Sequence, residues 1–149
     1  FVTDDLVQRL QNIASAVQFT KPYSIKAGSI WHIKTDVSGV LNSDLSLKKV
    51  IQLLHPTPAV CGLPKEIAKD FILENEPYDR SIYTGFLGEL NCSFARETIS
   101  SDLFVNLRCM QIKDSQAHLY MGCGITKDSN PEKEWEESVN KSMTMKRVL

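Results

Sequence analysis

Proline positions limit where this chain can be helical. Pro22 prevents a preceding helix from continuing, because an internal proline removes a backbone N–H and clashes with the preceding turn. Pro56-Thr57-Pro58 is expected to be extended, since proline also disfavours helical conformation in the residue before it. Pro64 and Pro131 instead suit the first turn of a helix. The prolines therefore divide the chain into short elements, and the sequence shows no repeat or linker that would separate domains.

Hydrophobic periodicity predicts the elements between the prolines. Thr3 is a candidate N-cap for a helix whose apolar face continues to about Val17. Further helices are predicted over residues 46–54, 64–73 and 131–149, and Gly39 to Asp44 is predicted to be a loop. One or two strands are predicted over residues 24–36, which Gly28 interrupts, and further strands over 82–90, 103–113 and 117–126. The simplest fold is one α+β unit with its strands concentrated in the second half.

Composition excludes several classes of function. The 149 residues carry a net charge of −1, which gives no footprint for nucleic acid or an anionic membrane surface. No apolar run approaches the roughly 20 residues that a membrane helix needs. The four cysteines form no Cys-x-x-Cys pair, so we expect reduced thiols in a cytoplasmic protein and no zinc site. The first residues resemble neither an initiator segment nor a signal peptide, and we interpret the chain as a fragment of a longer protein.

The predicted C-terminal helix carries a stripe of charged residues. At 100° per residue, Glu134, Glu137 and Lys141 lie on one face, which continues into apolar Met145 and Val148. The burial of an inward-facing carboxylate costs roughly several kcal/mol unless the group is paired or binds a cation. Mg²⁺ prefers such ligands. An exposed Glu-to-Lys pair at i,i+4 is the alternative, and spacing alone favours it.

Two features of the neighbouring strands suggest a site for a small anion. Arg108 lies within an apolar strand, where a guanidinium needs an anion, although a structural ion pair would also satisfy it. Residues 113–116 predict a hairpin turn that places Arg108 opposite Met121 or Gly122. Gly122 and Gly124 leave one face bare, so that a ligand could approach the backbone, or the helix could pack closely there.

Several motifs together resemble the chorismate-binding family, which includes isochorismate synthases, salicylate synthases, the first component of anthranilate synthase and aminodeoxychorismate synthase. The matches follow one another in order across nearly the whole chain. They are Ile30-Trp31-His32, the segment from His55 to Lys65, Glu76-Pro77-Tyr78-Asp79-Arg80, Tyr83-Thr84-Gly85, Val105-Asn106-Leu107-Arg108-Cys109, the segment from Tyr120 to Ile125, and residues 131–141.

The resemblance implies a role for several residues. Glu137 is implied as a Mg²⁺ ligand with Glu134 beside it, and Lys141 as a contact to a substrate carboxylate. The implied substrate-binding set is His32, Ala59, Tyr83, Arg108, Gly122, Gly124 and Lys141. His32 and Tyr83 would otherwise be interpreted as core residues. Cys61 and Cys123 stand where the family usually has other small residues, and we expect little consequence.

The resemblance also implies a reaction and a fold. Thr57-Pro58-Ala59-Val60 is most similar to isochorismate synthases, which isomerise chorismate to isochorismate by adding water at C2 and losing the C4 hydroxyl. The alternatives are a salicylate or anthranilate synthase, or a non-catalytic module of the same fold. The implied fold is the C-terminal portion of a sheet sandwich, like that of anthranilate synthase component I, flanked by helices.

The resemblance places the general base, the general acid and another Mg²⁺ carboxylate upstream of this segment. We therefore expect the 149 residues alone to be inactive, or nearly so. We also expect self-association through surfaces that truncation would expose. Menaquinone and catecholate siderophore synthesis both use isochorismate, and the sequence does not decide between them.

Overall fold

A computed structural model describes residues 2–27, 30–92 and 98–149 of the chain. The described residues form two compact units, Phe1–Lys65 and Glu66–Leu149. Both units combine helices with two-stranded antiparallel sheets, so the α+β class is confirmed. The elements in chain order are α1 (Val2–Gln11), β1 (Ala14–Phe19), β2 (Tyr23–Ala27), β3 (Ile30–Lys34), β4 (Val37–Leu41), α2 (Leu47–Leu54), α3 (Pro58–Cys61), α4 (Lys65–Asn75), β5 (Phe86–Cys92), β6 (Ser100–Val105), β7 (Cys109–Lys113), β8 (Gln116–Tyr120) and α5 (Pro131–Lys146).

The first unit nests one strand pair between the strands of another. β2 pairs with β3, while β1 pairs with β4 from Ala14↔Leu41 to Phe19↔Val37. Helix α1 packs on β1 and also contacts α2 and α3. Arg9 ties α1 to the end of α2 by donating to the Leu53 carbonyl at 3.2 Å. Cys61, at the end of α3, is buried in this unit.

The second unit holds two hairpin-like sheets and the long C-terminal helix. β5 pairs with β6, β7 pairs with β8, and α5 packs against β8. Tyr83 and Cys109 are its buried residues among those described. This packing places the end of β8, and the segment after it, beside the face of α5 that carries the charged stripe.

Local sequence signals account for two helix caps and for the tight turn predicted over residues 113–116. Ser46 caps α2 by accepting a hydrogen bond from the Lys49 backbone N–H. Asn130 caps α5 in the same way, accepting from the Lys133 N–H at 3.0 Å. The turn between β7 and β8 is formed by Asp114 and Ser115, both with positive φ, as a two-residue hairpin requires. Residues 24–36, predicted as one or two strands, contribute to two, β2 and β3, and Gly28 itself lies outside the described residues.

The predictions for the start of the chain were partly wrong. Helix α1 ends at Gln11, and residues up to Phe19 form a strand instead of continuing the helix to Val17. The segment from Gly39 to Asp44, predicted as a loop, contributes its first residues to β4. Pairing between β1 and β4 explains both errors. Hydrogen bonding between distant segments forms strands where the local sequence pattern favours a helix in one segment and a loop in the other. The strands are therefore not concentrated in the second half.

The predicted strand over residues 103–113 is interrupted. β6 ends at Val105 and β7 begins at Cys109, with Arg108 between them at a φ of 48°. Arg108 consequently does not lie in the middle of a strand, and the side-chain alternation predicted across it does not hold. Residues 82–85 form a turn before β5, and β8 ends at Tyr120 instead of continuing to residue 126. Helix α4 begins at Lys65, one residue after Pro64.

Among the described residues, no helix is both long and apolar enough to cross a membrane.

Candidate active site

The segment that follows β8 meets helix α5 through Lys141. The Lys141 ammonium donates a hydrogen bond to the carbonyl of Gly122 at 3.1 Å. The same ammonium forms an ion pair with Glu137, one turn earlier on the helix, at 2.6 Å. The i,i+4 pair predicted from spacing is therefore present, but it is not a free surface pair. Lys141 is 23% exposed and connects the helix to the backbone of the neighbouring segment.

The first turn of α5 positions Glu134 next to the same segment. Asn130 and Pro131 set the start of the helix, so Glu134 lies about one turn in. A hydrogen bond from Ser129 is the main reason that the pKa of the Glu134 carboxyl lies below its usual value, and Cys123 and Lys141 act in the same direction. Glu134 is therefore ionised at neutral pH, and it lies on the helix face that also carries Glu137 and Lys141.

Cys123 packs against the first half of α5. Its thiol lies 3.5 Å from the Glu134 carbonyl and accepts from the Ser138 hydroxyl at 3.6 Å. Burial raises the pKa of this thiol, so it stays protonated and able to donate. The contacts of Cys123 and Ser129 to Glu134 could not be predicted from the sequence, because nothing in their spacing indicates a partner eleven or five positions away.

Tyr83 is a buried residue that contacts this segment at Gly122. Its ring stacks on Tyr120, the last residue of β8, with centroids 5.8 Å apart and planes inclined by 25°. The turn that carries it is held by Asn106, whose carbonyl accepts from the Thr84 N–H at 2.9 Å and whose side-chain amide donates to the Ile82 carbonyl. Burial raises the pKa of the Tyr83 hydroxyl, which the nearby Arg80 guanidinium partly offsets. The burial is typical of the core role that Tyr83 would have without the family resemblance.

The two glycines differ in their surroundings. A Cβ on Gly122 would lie 2.5 Å from the Tyr83 hydroxyl, a distance that real Cβ atoms essentially never show. A Cβ on Gly124 would meet nothing within 4 Å. Close packing therefore accounts for Gly122, and open space beside the backbone distinguishes Gly124. The close neighbour of Gly122 is Tyr83 and not the helix, and the approach of a ligand at Gly124 stays a prediction.

Arg108 lies just before β7 and is half-buried. Neither an ion pair nor a hydrogen bond joins its guanidinium to another residue within ranges 2–27, 30–92 and 98–149. The structural ion pair considered for it is therefore missing from the described part of the chain. The binding of an anionic ligand by Arg108 stays a prediction.

His32 and Ala59 belong to the first unit. His32 lies in β3 opposite Ile25 and is half-buried, while Ala59 lies in α3 and is exposed. The structure thus gathers Tyr83, Gly122, Glu134, Glu137 and Lys141 in the second unit, and describes His32 and Ala59 separately. The roles implied for these residues stay predictions.

The residues at α5 offer part of a Mg²⁺ site. Glu134 and Glu137 are two carboxylates one turn apart, and Glu137 is more than half exposed. The described residues hold no group of three His, Cys, Asp or Glu side chains that could bind a metal by themselves. Mg²⁺ is commonly held by one or two carboxylates, with water and substrate oxygens completing its shell. Glu134 and Glu137 fit this pattern, in which the protein supplies only one or two of the Mg²⁺ ligands.

The chain belongs to the chorismate binding enzyme family, which matches it over residues 1–149. Isochorismate synthase DhbC of Bacillus subtilis is 34% identical over 130 residues, covering 87% of this chain and 31% of that protein. The chloroplastic isochorismate synthase of Catharanthus roseus is 35% identical over 150 residues, covering 99% of this chain and 25% of that protein.

Solved structures agree with this membership. MenF, the menaquinone-specific isochorismate synthase of Escherichia coli, superposes with a TM-score of 0.85 at 32% identity, covering 97% of this chain and 32% of that one. The chain therefore spans about a third or less of the length of the relatives it matches. The fold implied by the resemblance is confirmed.

Proposed function

We propose that the protein to which this chain belongs is an isochorismate synthase, and that these residues are the C-terminal part of its chorismate-binding domain. The observation that carries the proposal is the placement of Lys141, a partly buried ammonium held by Glu137 and by the Gly122 carbonyl. The names of the relatives support the choice of reaction within the family.

The charged groups of the second unit suit a dianion such as chorismate. Lys141 supplies an ammonium that can donate to a substrate carboxylate, because only part of its donor capacity is used by Glu137 and Gly122. Arg108 supplies a guanidinium with no carboxylate partner among the described residues, and a guanidinium binds carboxylates in a two-pronged fashion. The open space at Gly124 lets a ligand approach its backbone.

Glu137 and Glu134 are the residues that would hold Mg²⁺. The ion, when bound, supplies positive charge that binds and orients a substrate carboxylate. Glu134 is kept ionised by its hydrogen bonds, and Glu137 is accessible beside Lys141. The reaction adds water at C2 of chorismate while the C4 hydroxyl leaves as water, so it needs a base and an acid. We propose that residues outside this chain provide both, and that this chain binds and orients the substrate.

A cytoplasmic location of the whole protein stays a prediction, and so does self-association of the isolated segment. The pathway, siderophore or menaquinone, also stays open, because the isochorismate synthases DhbC, EntC and MenF are similar to this chain to about the same degree, at 34%, 34% and 32% identity.

Product analysis tests the proposed reaction. The full-length native protein is incubated with chorismate and MgCl₂, and the products are separated by chromatography. We expect isochorismate, with no turnover after chelation of Mg²⁺. Salicylate, or anthranilate when ammonia is supplied, would favour the other chorismate enzymes. No conversion under any of these conditions would favour a non-catalytic module.

Lys141→Met tests the role of the ammonium in the same assay. Loss of a charge-assisted hydrogen bond to a carboxylate is expected to lower kcat/KM about 100-fold. Lys133→Met is the matched control, since Lys133 is an exposed lysine of the same helix, and its effect should stay within about two-fold. Equal effects of the two substitutions would contradict the assignment of Lys141.

A further inference from the structure

Glu76 and Arg80 form a half-buried ion pair next to the Tyr83 ring. Arg80 donates through Nε to one Glu76 carboxylate oxygen at 2.6 Å and through a terminal nitrogen to the other. The Arg80 side chain is 24% exposed and the Glu76 side chain 27%. A two-pronged pair of this kind fixes the plane of the guanidinium as well as its position.

The guanidinium fixed by Glu76 contacts the turn that carries Tyr83. It lies 5.6 Å from the centroid of the Tyr83 ring, and its second terminal nitrogen donates to the Thr84 hydroxyl at 3.2 Å. The Tyr83 ring also stacks on Tyr120. Contacts to a cation and to a second ring leave the buried Tyr83 side chain little freedom to move.

The hydroxyl end of Tyr83 faces Gly122. The space that a Gly122 side chain would occupy is taken by this hydroxyl, so the two residues are in direct contact. The carbonyl of Gly122 in turn accepts the hydrogen bond from Lys141. Contacts therefore run without a gap from Glu76 through Arg80, Tyr83 and Gly122 to the ammonium of Lys141.

We propose that Glu76 and Arg80 are positioning residues, which fix the place of the Lys141 ammonium through Tyr83 and Gly122. The inference rests on the proposed function only where Lys141 is taken to bind chorismate. A purely structural pair would stabilise the fold, but its removal would leave the surroundings of Lys141 unchanged. The two roles therefore differ in what happens at Lys141 when the pair is broken.

The first experiment needs no ligand. Lysines of the full-length protein are labelled biosynthetically with ¹³C at Cε, which leaves all three N–H donors in place for Glu137 and Gly122, and the Lys141 signal is assigned in the NMR spectrum by its loss in Lys141→Arg. We expect this signal to shift in Glu76→Gln and in Tyr83→Phe. It should stay in place in Asp5→Asn, which breaks an i,i+4 pair with Arg9 of similar exposure in helix α1. An unchanged Lys141 signal in Glu76→Gln would overturn the proposal.

The second experiment measures the dissociation constant of chorismate. We expect Glu76→Gln to weaken binding about 10-fold, because a small displacement of a binding group is costly. In a Lys141→Met background the same substitution should add little, since residues acting through one another are not additive. Additive losses would overturn the proposal.

Two controls separate the possible failures. Arg80→Lys keeps the charge but loses the two-pronged geometry, so an intermediate effect is expected even if Glu76→Gln folds poorly. If the wild-type protein forms no isochorismate while the Lys141 signal still responds to Glu76→Gln, the proposed reaction fails and the positioning role stands.

Discussion

The contact between Gly122 and Tyr83 makes a sharp prediction about single residues. Gly122→Ala would bring a methyl group to 2.5 Å from the Tyr83 hydroxyl. We expect it to lower the free energy of unfolding by about 1–3 kcal/mol, as overpacking of a filled site does. In the double variant with Tyr83→Phe most of that loss should be recovered, because the next ring atom lies 3.8 Å away, an ordinary contact distance. Chemical denaturation of the four variants measures the coupling, and additive losses would contradict the contact.

Gly124→Ala is the matched substitution two residues later. Nothing lies within 4 Å of the added methyl group, so the free energy of unfolding should change by less than about 0.5 kcal/mol. If the open space receives the substrate, chorismate binding should nevertheless weaken about 10-fold, because the methyl group occupies that space. Binding equal to that of the wild type would show that the ligand approaches elsewhere.

At single residues, sequence reasoning found the charged groups more easily than their surroundings. Lys141 and Glu137 were recognisable from helical spacing, because an i,i+4 relation is fixed once the helix is known. Arg108 was recognised as a residue that needs an anion, but not as the residue at which the strand breaks. The support that Glu76 gives to Tyr83 through Arg80 could not be predicted. It depends on how the turn before β5 brings the Tyr83 ring against the Arg80 guanidinium.

At the scale of elements, the cap of α5 fixes the start of the helix that carries the site. Asn130→Ala removes the side-chain acceptor for the Lys133 N–H. We expect a cost of about 1 kcal/mol, as is usual for a lost N-cap. The corresponding Ser46→Ala in α2 should cost less, because its hydrogen bond is longer, 3.4 Å against 3.0 Å. Thermal unfolding followed by circular dichroism tests the order, and a larger effect at Ser46 would contradict it.

Elements that depend on neighbouring residues were predicted better than elements that depend on distant pairing. The caps of α2 and α5 and the turn at Asp114-Ser115 are encoded within a few residues, so the sequence predicts them. β1 and β4 pair residues that are 18 to 27 positions apart, and nothing local in either segment requires that partner. The residues of β1 were consequently predicted as part of a helix, and the end of β4 as part of a loop.

At the scale of the whole chain, burial is sparse. Within the described ranges only Cys61, Tyr83 and Cys109 are buried hydrophobic residues. Large apolar side chains are exposed in both units, among them Ile33 at 82% and Ile112 at 70%. The chain spans about a third of the length of the relatives it matches, and exposed apolar surface of this extent is typical of faces that pack against further protein.

This exposure predicts the behaviour of the 149 residues taken alone. We expect the isolated chain to bind the dye ANS and to elute from size exclusion above its 16.8 kDa mass, increasingly so at higher concentration. Ile33→Lys and Ile112→Lys should each reduce dye binding, because each removes part of an exposed apolar surface, whereas Lys133→Met should not. Turnover of chorismate should be undetectable, since neither base nor acid is assigned within this chain. A monomeric, dye-free and active 149-residue chain would show that it is sufficient by itself for both folding and catalysis.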